Sequence, residues 1–234
     1  MQFKQFSVKD EGCAMKVGTD GVLLGAWLKC QACKRLLDVG TGSGLIALMA
    51  AQQCAAKGDF HFKILAIDID EGAVAQAKSN FTSSPWADNL SAVQISLQDL
   101  ALSQEAGSFD LIFSNPPFFP SDSSLSSPNE KRDMARSDKM LPMSKLLSYS
   151  AKIMSSSGKM VVVLPFSQET AFIVAAACEK LFVSRRCYFR SQKEKTPIRV
   201  LIEISRQLPE IVLTTSITNG DESYLDLTKY FYFY

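Results

Sequence analysis

The sequence has a single histidine, His61, and no second cysteine pair to match the C-x-x-C formed by Cys30 and Cys33. A structural zinc site needs about four cysteine or histidine ligands, so this composition argues against zinc. A chain long enough to bury a full core needs no disulfide framework either. We therefore expect reduced thiols and no metal. His61 lies in an apolar stretch interpreted as a strand, and it is assigned no role.

Long apolar runs and charge of one sign are also missing. No stretch of about eighteen apolar residues occurs, which excludes a transmembrane helix. The polar, mixed-charge residues 1–11 predict no signal peptide. The 25 Lys and Arg residues are balanced by 24 Asp and Glu residues, which excludes a uniformly basic nucleic-acid binder. We expect a cytoplasmic protein with no membrane partner.

Short apolar runs rich in β-branched residues alternate along the chain with segments of helical period. This alternation predicts an α/β fold of the Rossmann-like type, with a seven-stranded, mostly parallel sheet and helices on both faces. The expected strands are 35–39, 62–69, 90–97, 109–114, 159–164, 182–190 and 198–205, and 211–218 is a candidate for a further extended piece. The last two of the seven have no helix between them, which predicts an antiparallel hairpin at one edge.

We expect one domain over residues 1–234, with the aromatic residues 230–234 packed back onto the body. Residues 116–142 form a long polar segment rich in serine and proline. Connections of this length in a compact domain are usually functional or disordered. Its position after the fourth strand favours a loop on the substrate side.

The segment D-V-G-T-G-S-G at 38–44 joins the first predicted strand to a helix. Its glycines let the backbone turn sharply and approach a ligand at a helix N-terminus. Asp68 ends the second predicted strand, where a carboxylate can accept hydrogen bonds from a ribose diol. Together these features predict a site for an adenosine-bearing cofactor.

The glycine spacing separates the candidate cofactors. A dinucleotide loop reads G-x-G-x-x-G and offers amides to a pyrophosphate, whereas this loop reads G-x-G-x-G directly after Asp38. A carboxylate there repels phosphate but suits an ammonium or sulfonium group, which disfavours a nicotinamide oxidoreductase. The pattern resembles motif I of the class I S-adenosylmethionine-dependent methyltransferases.

That resemblance implies roles for individual residues. Asp38 would lie near the methionine amino end of the cofactor, and Asp99, after the third strand, fits the adenine-contacting acidic position. The other cofactor-binding positions are Gly40, Thr41, Gly42, Gly44 and Asp68. The plain alternative for Asp99 is a helix N-cap, and Asp70 is expected to cap the helix that follows it.

The sequence N-P-P-F-F at 115–119 follows the fourth predicted strand. Two prolines cannot continue a central ladder, so a simple strand exit is one interpretation. Ligands also bind beyond the carboxyl ends of strands in open α/β sheets. There, the side-chain carbonyl of Asn115 and the main-chain carbonyl of Pro116 offer two acceptors for an exocyclic amine. Phe118 can stack on a flipped base.

The same segment resembles motif IV, [DN]-P-P-[FYW], of amino-methyltransferases that modify adenine, guanine or glutamine amides. It implies a catalytic set of Asn115, Pro116, Pro117 and Phe118. The sulfonium is already a strong electrophile and the proton can leave after transfer. Positioning and desolvation therefore suffice, and no dedicated base is required.

A third segment, M-K-V-G-T-D-G-V-L-L-G-A-W at 15–27, reads plainly as a turn leading into an apolar helix capped by Thr19 or Asp20. Together with F-K-Q-F at 3–6, the two motifs above and P-I-R-V-L at 197–201, it closely resembles the bacterial tRNA (adenine-N(6))-methyltransferases over nearly the whole chain. The resemblance implies methyl transfer from S-adenosylmethionine, leaving S-adenosylhomocysteine, to the adenine just 3′ of the anticodon in a valine tRNA. It also implies that Lys16, Gly18 and Thr19, within the N-terminal segment 1–34, close the cofactor pocket.

Basic residues cluster at 185–199, opposed only by Glu194. A solvated face is the plain interpretation, but an edge hairpin that also carries aromatic side chains is a plausible phosphate-tracking surface. The predicted RNA-binding residues are Arg185, Arg186, Arg190, Lys193 and Arg199, with Lys195 beside them. A second candidate, in the long loop, comprises Lys131, Arg132, Arg136 and Lys139, interleaved with Asp133 and Asp138.

Three other functions stay open at this point. Methylation of a guanine amine in ribosomal RNA and of a protein glutamine both use N-P-P-[FY]. A protein-glutamine enzyme of this type usually has an added N-terminal recognition domain, and only about 34 residues precede the first predicted strand here. A catalytically silent cofactor-binding partner subunit is disfavoured because the motif residues, Asn115 included, are intact. No obligate protein partner is inferred.

Overall fold

The apolar runs of the sequence form strands of one sheet in the computed structural model, which describes residues 1–13, 15–30, 32–56, 58, 60–117 and 141–233. Within these ranges the strands are β1 (Arg35–Val39), β2 (Lys63–Asp68), β3 (Leu90–Gln94), β4 (Phe109–Ser114), β5 (Met154–Pro165), β6 (Phe182–Arg190), β7 (Arg199–Ser205) and β8 (Leu213–Thr218). Their order across the sheet is β3-β2-β1-β4-β5-β7-β6-β8.

Helices cover both faces of this sheet, as expected. In the described ranges they are α1 (Thr19–Trp27), α2 (Leu45–Ala55), α3 (Glu71–Thr82), α4 (Leu97–Ser103), α5 (Met143–Ile153), α6 (Glu169–Cys178) and α7 (Glu222–Thr228). Apolar side chains of α1, α2 and α3 share one core with one face of the sheet. Those of α4, α5 and α6 share a second core with the opposite face. The Rossmann-like fold class is confirmed.

The strand directions bring several loops to one edge of the sheet. Strands β3, β2, β1, β4 and β5 are parallel, so β1, β2, β4 and β5 end at the same edge, which we call the carboxyl edge. Strand β7 is antiparallel to both β5 and β6, and its first residue, Arg199, pairs with Pro165 at the end of β5. The turn 191–198 between β6 and β7 therefore also lies at the carboxyl edge.

The expectation of seven strands with a hairpin at the sheet edge is wrong in two details. Residues Leu213–Thr218 form an eighth strand, and this strand pairs in parallel with the outer side of β6. The β6–β7 hairpin is antiparallel as expected, but it lies one strand inside the edge. The physical reason is that β8 buries Ile217 in the first core while its other residues stay mostly exposed.

Both chain ends pack on the same face of the sheet. Phe3 stacks on Phe6 and Tyr232, with ring centroids 4.8 and 5.6 Å away, and Phe231 is buried. The main-chain amide of Lys4 donates to the Phe231 carbonyl at 2.9 Å. Phe231 and Tyr232 of the aromatic tail thus pack back onto the body, as expected, whereas Tyr230 and Phe233 are exposed and Tyr234 lies outside the described residues.

Several element boundaries differ from the expectation. Leu97 starts α4 instead of ending β3, because the Ser96 side chain caps that helix through the Asp99 amide. The N-cap of α1 is Gly18, not Thr19 or Asp20. His61 is exposed and precedes β2 rather than lying in it. Among the described helices, none combines the length and the apolar character needed to cross a membrane.

Candidate active site

The glycine loop after β1 depends on left-handed backbone at Gly40, Gly42 and Gly44, whose φ angles are 72°, 53° and 81°. A Cβ added to Gly40 or Gly42 would meet no atom within 4 Å, whereas one on Gly44 would lie 2.5 Å from the Phe81 ring. Gly44 therefore allows α3 to pack on the loop. Gly40 and Gly42 leave the outer side of the loop open for close approach of a ligand.

Asp38, the last but one residue of β1, is fully buried below this loop. Its Oδ2 accepts a hydrogen bond from the Thr41 hydroxyl at 2.7 Å. Its Oδ1 has no hydrogen-bond partner among the described residues. Burial raises the pKa of Asp38 to about 7; the Thr41 hydroxyl and the Ala47 main-chain amide oppose this shift, and the nearby Asp68 carboxylate adds to it. The site thus holds a buried acceptor that a cationic ligand group would satisfy.

Asp68, at the end of β2, holds the same loop from the neighbouring strand. Its Oδ2 accepts from the Gly42 amide at 3.0 Å, and its Oδ1 accepts from the Asp70 amide at 3.0 Å. Asp70 in turn caps α3 by accepting from the Ala73 amide, which confirms the expected cap. Asp68 stays half-buried. Each carboxylate oxygen retains lone-pair capacity for a further donor such as a ribose hydroxyl.

Asn115 lies directly beside the glycine loop. Val39 of β1 pairs with Ser114 of β4, and the Ser114 hydroxyl donates to the Val39 carbonyl at 2.8 Å. Gly40 follows β1 and Asn115 follows β4, so these two residues are adjacent at the carboxyl edge. Asn115 is half-buried, Pro116 is buried and Pro117 is exposed. Phe118 and loop residues 119–140, including the basic residues at 131–139, lie outside the described residues.

Comparisons with known proteins show the family of the chain. The methyltransferase small domain family matches residues 13–186. A tRNA1(Val) (adenine(37)-N6)-methyltransferase from Parabacteroides distasonis is 45% identical over 204 residues, which is 87% of this chain and 82% of that protein. One from Phocaeicola vulgatus is 39% identical over 235 residues, or 98% of this chain and 96% of that protein. The chain belongs to the tRNA1(Val) (adenine(37)-N6)-methyltransferase family.

Solved structures place the same family in a wider fold group. A predicted O-methyltransferase from Agrobacterium tumefaciens superposes with a TM-score of 0.64 at 14% identity, covering 90% of this chain and 96% of that one. A geranyl diphosphate methyltransferase superposes with a TM-score of 0.53 at 13% identity, covering 80% of this chain and 76% of that one. At such identities the likeness extends to the fold only.

The remaining cofactor residues implied by the family likeness lie at or near the carboxyl edge. Gly18 and Thr19 are exposed at the start of α1. The Lys16 ammonium donates to the main-chain carbonyls of Asp10 and Glu11, at 2.8 and 3.4 Å. Asp99 is exposed in the first turn of α4 and accepts from the Ser96 hydroxyl at 2.7 Å. Ser96 is therefore the N-cap of α4, and the interpretation of Asp99 as that N-cap is wrong. The predicted contact of Asp99 with adenine stays a proposal.

The five predicted RNA-binding residues separate into different environments. Arg185 is only 7% exposed. Its Nε donates to Glu203 Oε2 at 2.7 Å, and its guanidinium lies 3.7 Å from the Trp27 ring centroid. Burial acts to raise the pKa of Glu203, but Arg185 and the hydrogen bonds from Lys159 and Ser184 hold it below its usual value. The structure thus removes Arg185 from the predicted RNA surface, because its charge is used to pair a buried carboxylate.

The other four are at least partly exposed, and two of them have acidic partners. Arg186 pairs with Glu169 at 3.0 Å, and Arg199 pairs with Asp20 at 2.8 Å. Arg190, at the end of β6, donates to the Ser216 hydroxyl, and Lys193 is exposed on the turn 191–198. Of the predicted set, Arg190, Lys193 and Arg199 lie at the carboxyl edge.

The C-x-x-C pair lies away from this edge, between α1 and β1. A hydrogen bond with Cys54 and burial hold the pKa of Cys30 well above its usual value, and burial raises the pKa of Cys33 to about 11. Thiols of this kind are poor nucleophiles. Within the described ranges, no group of three or more His, Cys, Asp or Glu side chains is arranged to hold a metal ion.

One site residue escaped the sequence interpretation. Asn80 lies on the buried side of α3, together with Ala73, Ala77 and Phe81, and its side chain contacts both the glycine loop and the N-terminal segment. The signal was available in principle, because an asparagine at an apolar position of a helical repeat has to find buried hydrogen-bond partners.

Proposed function

We propose that this chain transfers a methyl group from S-adenosylmethionine to the exocyclic amine of adenine 37 in tRNA1(Val). The observation that carries the proposal is the adjacency of Gly40 and Asn115, fixed by the Val39–Ser114 pair. It brings the glycine loop next to the N-P-P segment, as transfer from a cofactor on the loop to an amine at Asn115 would require. Relatives of nearly full length, 39% and 45% identical, carry the tRNA1(Val) name and support the choice of substrate.

The residues of the glycine loop fit S-adenosylmethionine. Asp38 Oδ1 would accept from the methionine ammonium, since it is a buried acceptor with no partner among the described residues. Asp68 would accept from the ribose hydroxyls, and Gly40 and Gly42 leave room for the ligand to pass close to the backbone. When bound, the cofactor supplies a methyl group on a positively charged sulfur, which makes that carbon electrophilic. Lys16, Gly18, Thr19 and Asp99 are proposed to complete the pocket.

Asn115 and Pro116 are proposed to orient the target amine. The side-chain carbonyl of Asn115 accepts one amine hydrogen and the main-chain carbonyl of Pro116 accepts the other. Two acceptors hold the nitrogen with its lone pair directed away from them and toward the methyl donor. Holding the reacting atoms in this geometry is a large part of catalysis in such transfers. Pro117 shapes the exit of the strand, and Phe118 is proposed to stack on the base.

The RNA is proposed to approach along the carboxyl edge, with Arg190 and Lys193 contacting phosphates. Arg186 and Arg199 are proposed to add further positive charge to this surface. Their guanidinium groups are held in place by Glu169 and Asp20. A tRNA substrate also implies a cytoplasmic location, which we propose for the protein.

Nucleoside mass spectrometry tests the function and its alternatives together. The protein is incubated with isotopically labelled S-adenosylmethionine and, separately, with tRNA and ribosomal RNA from a strain that lacks the orthologous gene. We expect labelled N(6)-methyladenosine in tRNA only. Labelled N(2)-methylguanosine in ribosomal RNA would support the guanine alternative instead. Label in protein glutamine, or cofactor binding with no transfer to any of these, would likewise contradict the proposal.

A further inference from the structure

The side chain of Asn80 joins three separate parts of the molecule. Asn80 lies near the end of α3 and is 4% exposed. Its Nδ2 donates to the Ser43 carbonyl at 2.8 Å, inside the glycine loop, and to the Lys9 carbonyl at 2.7 Å. Its Oδ1 accepts from the Lys9 amide at 3.1 Å. Both amide hydrogens and the carbonyl are thus used, and only an asparagine-like side chain of this length offers that set.

Two other contacts hold the glycine loop, one from the end of β2 and one from α3. The Gly42 amide is held by Asp68, just before the helix. Near the other end of α3, the Phe81 ring fills the space next to Gly44. Asn80 adds a bond to Ser43, the residue between those two contacts. The loop therefore takes its shape from α3 as well as from its own glycines.

The bonds to Lys9 extend this support to the N-terminal strap, which we define as residues 9–13. The strap runs antiparallel to α3, because Lys9 contacts Asn80 while the Gly12 amide donates to the Gln76 side chain at 3.2 Å. The strap ends at the buried Cys13, and burial raises the pKa of its thiol, a shift to which the carboxylates of Asp10, Asp68 and Asp70 add. A few residues further on, Gly18 and Thr19 begin α1.

We propose that Asn80 is a positioning residue for the cofactor, holding the N-terminal strap and the glycine loop in one fixed relation. This inference rests on the proposed function, because it assigns a role toward S-adenosylmethionine. Asn80 does not touch the open side of the loop. It acts through Ser43, and through Lys9 on the chain that leads to Gly18 and Thr19. Without the Asn80 side chain, the main-chain groups of Ser43 and Lys9 lose their buried hydrogen-bond partners and must bind water instead. The glycine loop and the N-terminal strap are then held less firmly.

The test compares Asn80→Ala with Asn89→Ala, a matched control. Asn89 also donates two side-chain bonds, to the Phe60 and Phe62 carbonyls at 2.9 and 2.8 Å, but it lies just before β3, away from the loop. S-adenosylhomocysteine is the probe, and its Kd is measured by calorimetry beside the Tm of each protein. We expect Asn80→Ala to raise the Kd about tenfold, the effect of losing roughly one to two net hydrogen bonds. We expect Asn89→Ala to lower the Tm with an unchanged Kd.

Turnover assays separate a positioning role from a general loss of structure. Asn80→Ala should raise the KM for S-adenosylmethionine while kcat at saturation stays within about twofold, since the variant leaves the amine-binding residues intact. An unchanged Kd in Asn80→Ala, or equal Kd increases in both variants, would overturn the inference.

Hydrogen exchange in the wild-type protein keeps the test valid if Asn80→Ala fails to fold. Adding S-adenosylhomocysteine should slow amide exchange at Lys9 and Gly12 together with Gly42. Protection of Gly42 alone would contradict the link through Asn80. If the wild-type protein binds no S-adenosylhomocysteine, the proposed function itself fails and the inference fails with it. Binding to the wild type with unchanged behaviour of Asn80→Ala defeats the inference alone.

Discussion

Arg199 and Asp20 connect the two sides of the carboxyl edge through a bond of 2.8 Å between the guanidinium Nε and the carboxylate Oδ2. Asp20 lies in the first turn of α1, directly after the proposed cofactor residues Gly18 and Thr19. Arg199 starts β7, directly after the turn that carries Lys193. The two side chains are 25% and 21% exposed. The pair thus joins the cofactor side of the site to the proposed RNA side.

Removing either side chain of the Arg199–Asp20 pair should therefore lower the free energy of unfolding by a similar amount. We expect Arg199→Gln and Asp20→Asn each to lower the free energy of unfolding by about 0.5–1 kcal/mol, and the double variant to lose less than the sum. Urea denaturation of the four proteins measures this coupling. tRNA affinity measured on the same set should fall more in Arg199→Gln, which loses the cation itself, than in Asp20→Asn, which loses only the group that positions it. Strict additivity of the unfolding free energies would show that the two side chains act independently, and unchanged tRNA affinity in Arg199→Gln would remove Arg199 from the RNA surface.

Cofactor affinity should depend on pH through Asp38. Because the pKa of this buried carboxyl is raised to about 7, the free protein holds it increasingly protonated below that pH. The methionine ammonium needs the carboxylate, so the Kd for S-adenosylhomocysteine should rise as pH falls from 8 to 6, approaching tenfold per unit. Calorimetry at several pH values checks this. Asp38→Asn should bind weakly with a flat profile over the same range, and an identical profile in wild type and variant would exclude Asp38.

The same shift predicts an effect of opposite sign on stability. A carboxyl whose pKa is raised in the folded state favours folding in its neutral form, so its contribution to stability is lost as pH rises from 3.8 through about 7. Asp38→Asn removes the buried charge. We therefore expect the variant to have the higher Tm at pH 8 and a smaller Tm advantage at pH 5. A lower Tm for the variant at both pH values would contradict the assignment. Such a cost in stability at a ligand site is a common trade-off.

Arg185 should matter for stability and not for RNA. Arg185→Met leaves the Glu203 carboxylate buried with fewer partners, so the free energy of unfolding should fall by about 3 kcal/mol. The double change Arg185→Met with Glu203→Leu should recover part of that loss. Urea denaturation measures the unfolding free energies. tRNA affinity of the folded fraction should stay at the wild-type value, and a selective loss of tRNA binding would return Arg185 to the RNA surface.

Arg190 and Lys193 should carry phosphate contacts. Reversal of both charges to glutamate should weaken tRNA binding and reduce the slope of log K against log salt by about two, with S-adenosylhomocysteine affinity preserved. Filter binding over a salt series measures the slope. The control is Lys152→Glu, on an exposed position in the last turn of α5 near the opposite edge of the sheet. An equal effect of the control and the double reversal would mean that only overall charge matters.

The elements nearest the cofactor were predictable from sequence because their chemistry is local. Alternate glycines, a carboxylate before them and an Asn-Pro-Pro segment after a strand each constrain the backbone within a few residues. The limits of β1, β4 and β6 agree with the prediction. β1 and β4 are short apolar runs with a clear stop, whereas β6 is a mixed run in which buried and half-buried residues alternate toward its end.

Features that depend on distant partners could not be predicted in this way. Arg185 looks like its basic neighbours in the sequence, and only Trp27 and Glu203, far along the chain, make it a buried residue. The pairing of β8 with β6 depends on the fold of the β6–β7 hairpin. Strand β7 is already paired with β5 and β6, so β6 offers the open edge. Asn80 is similar: its place on the apolar side of α3 indicates that it has buried partners, but the fold alone shows that these partners are Ser43 and Lys9.

The most direct test of the central claim uses two RNA transcripts and two forms of the protein. An unmodified tRNA1(Val) transcript and its copy with guanine at position 37 are incubated with the wild-type protein and with Asn115→Ala. The methylated position is mapped by mass spectrometry of nuclease fragments. We predict N(6)-methyladenosine at position 37 of the first transcript only. In Asn115→Ala the rate should fall about a hundredfold or more, with the Kd for S-adenosylhomocysteine within about threefold of wild type. Methylation at another position, equal methylation of both transcripts, or full activity of Asn115→Ala would contradict the account.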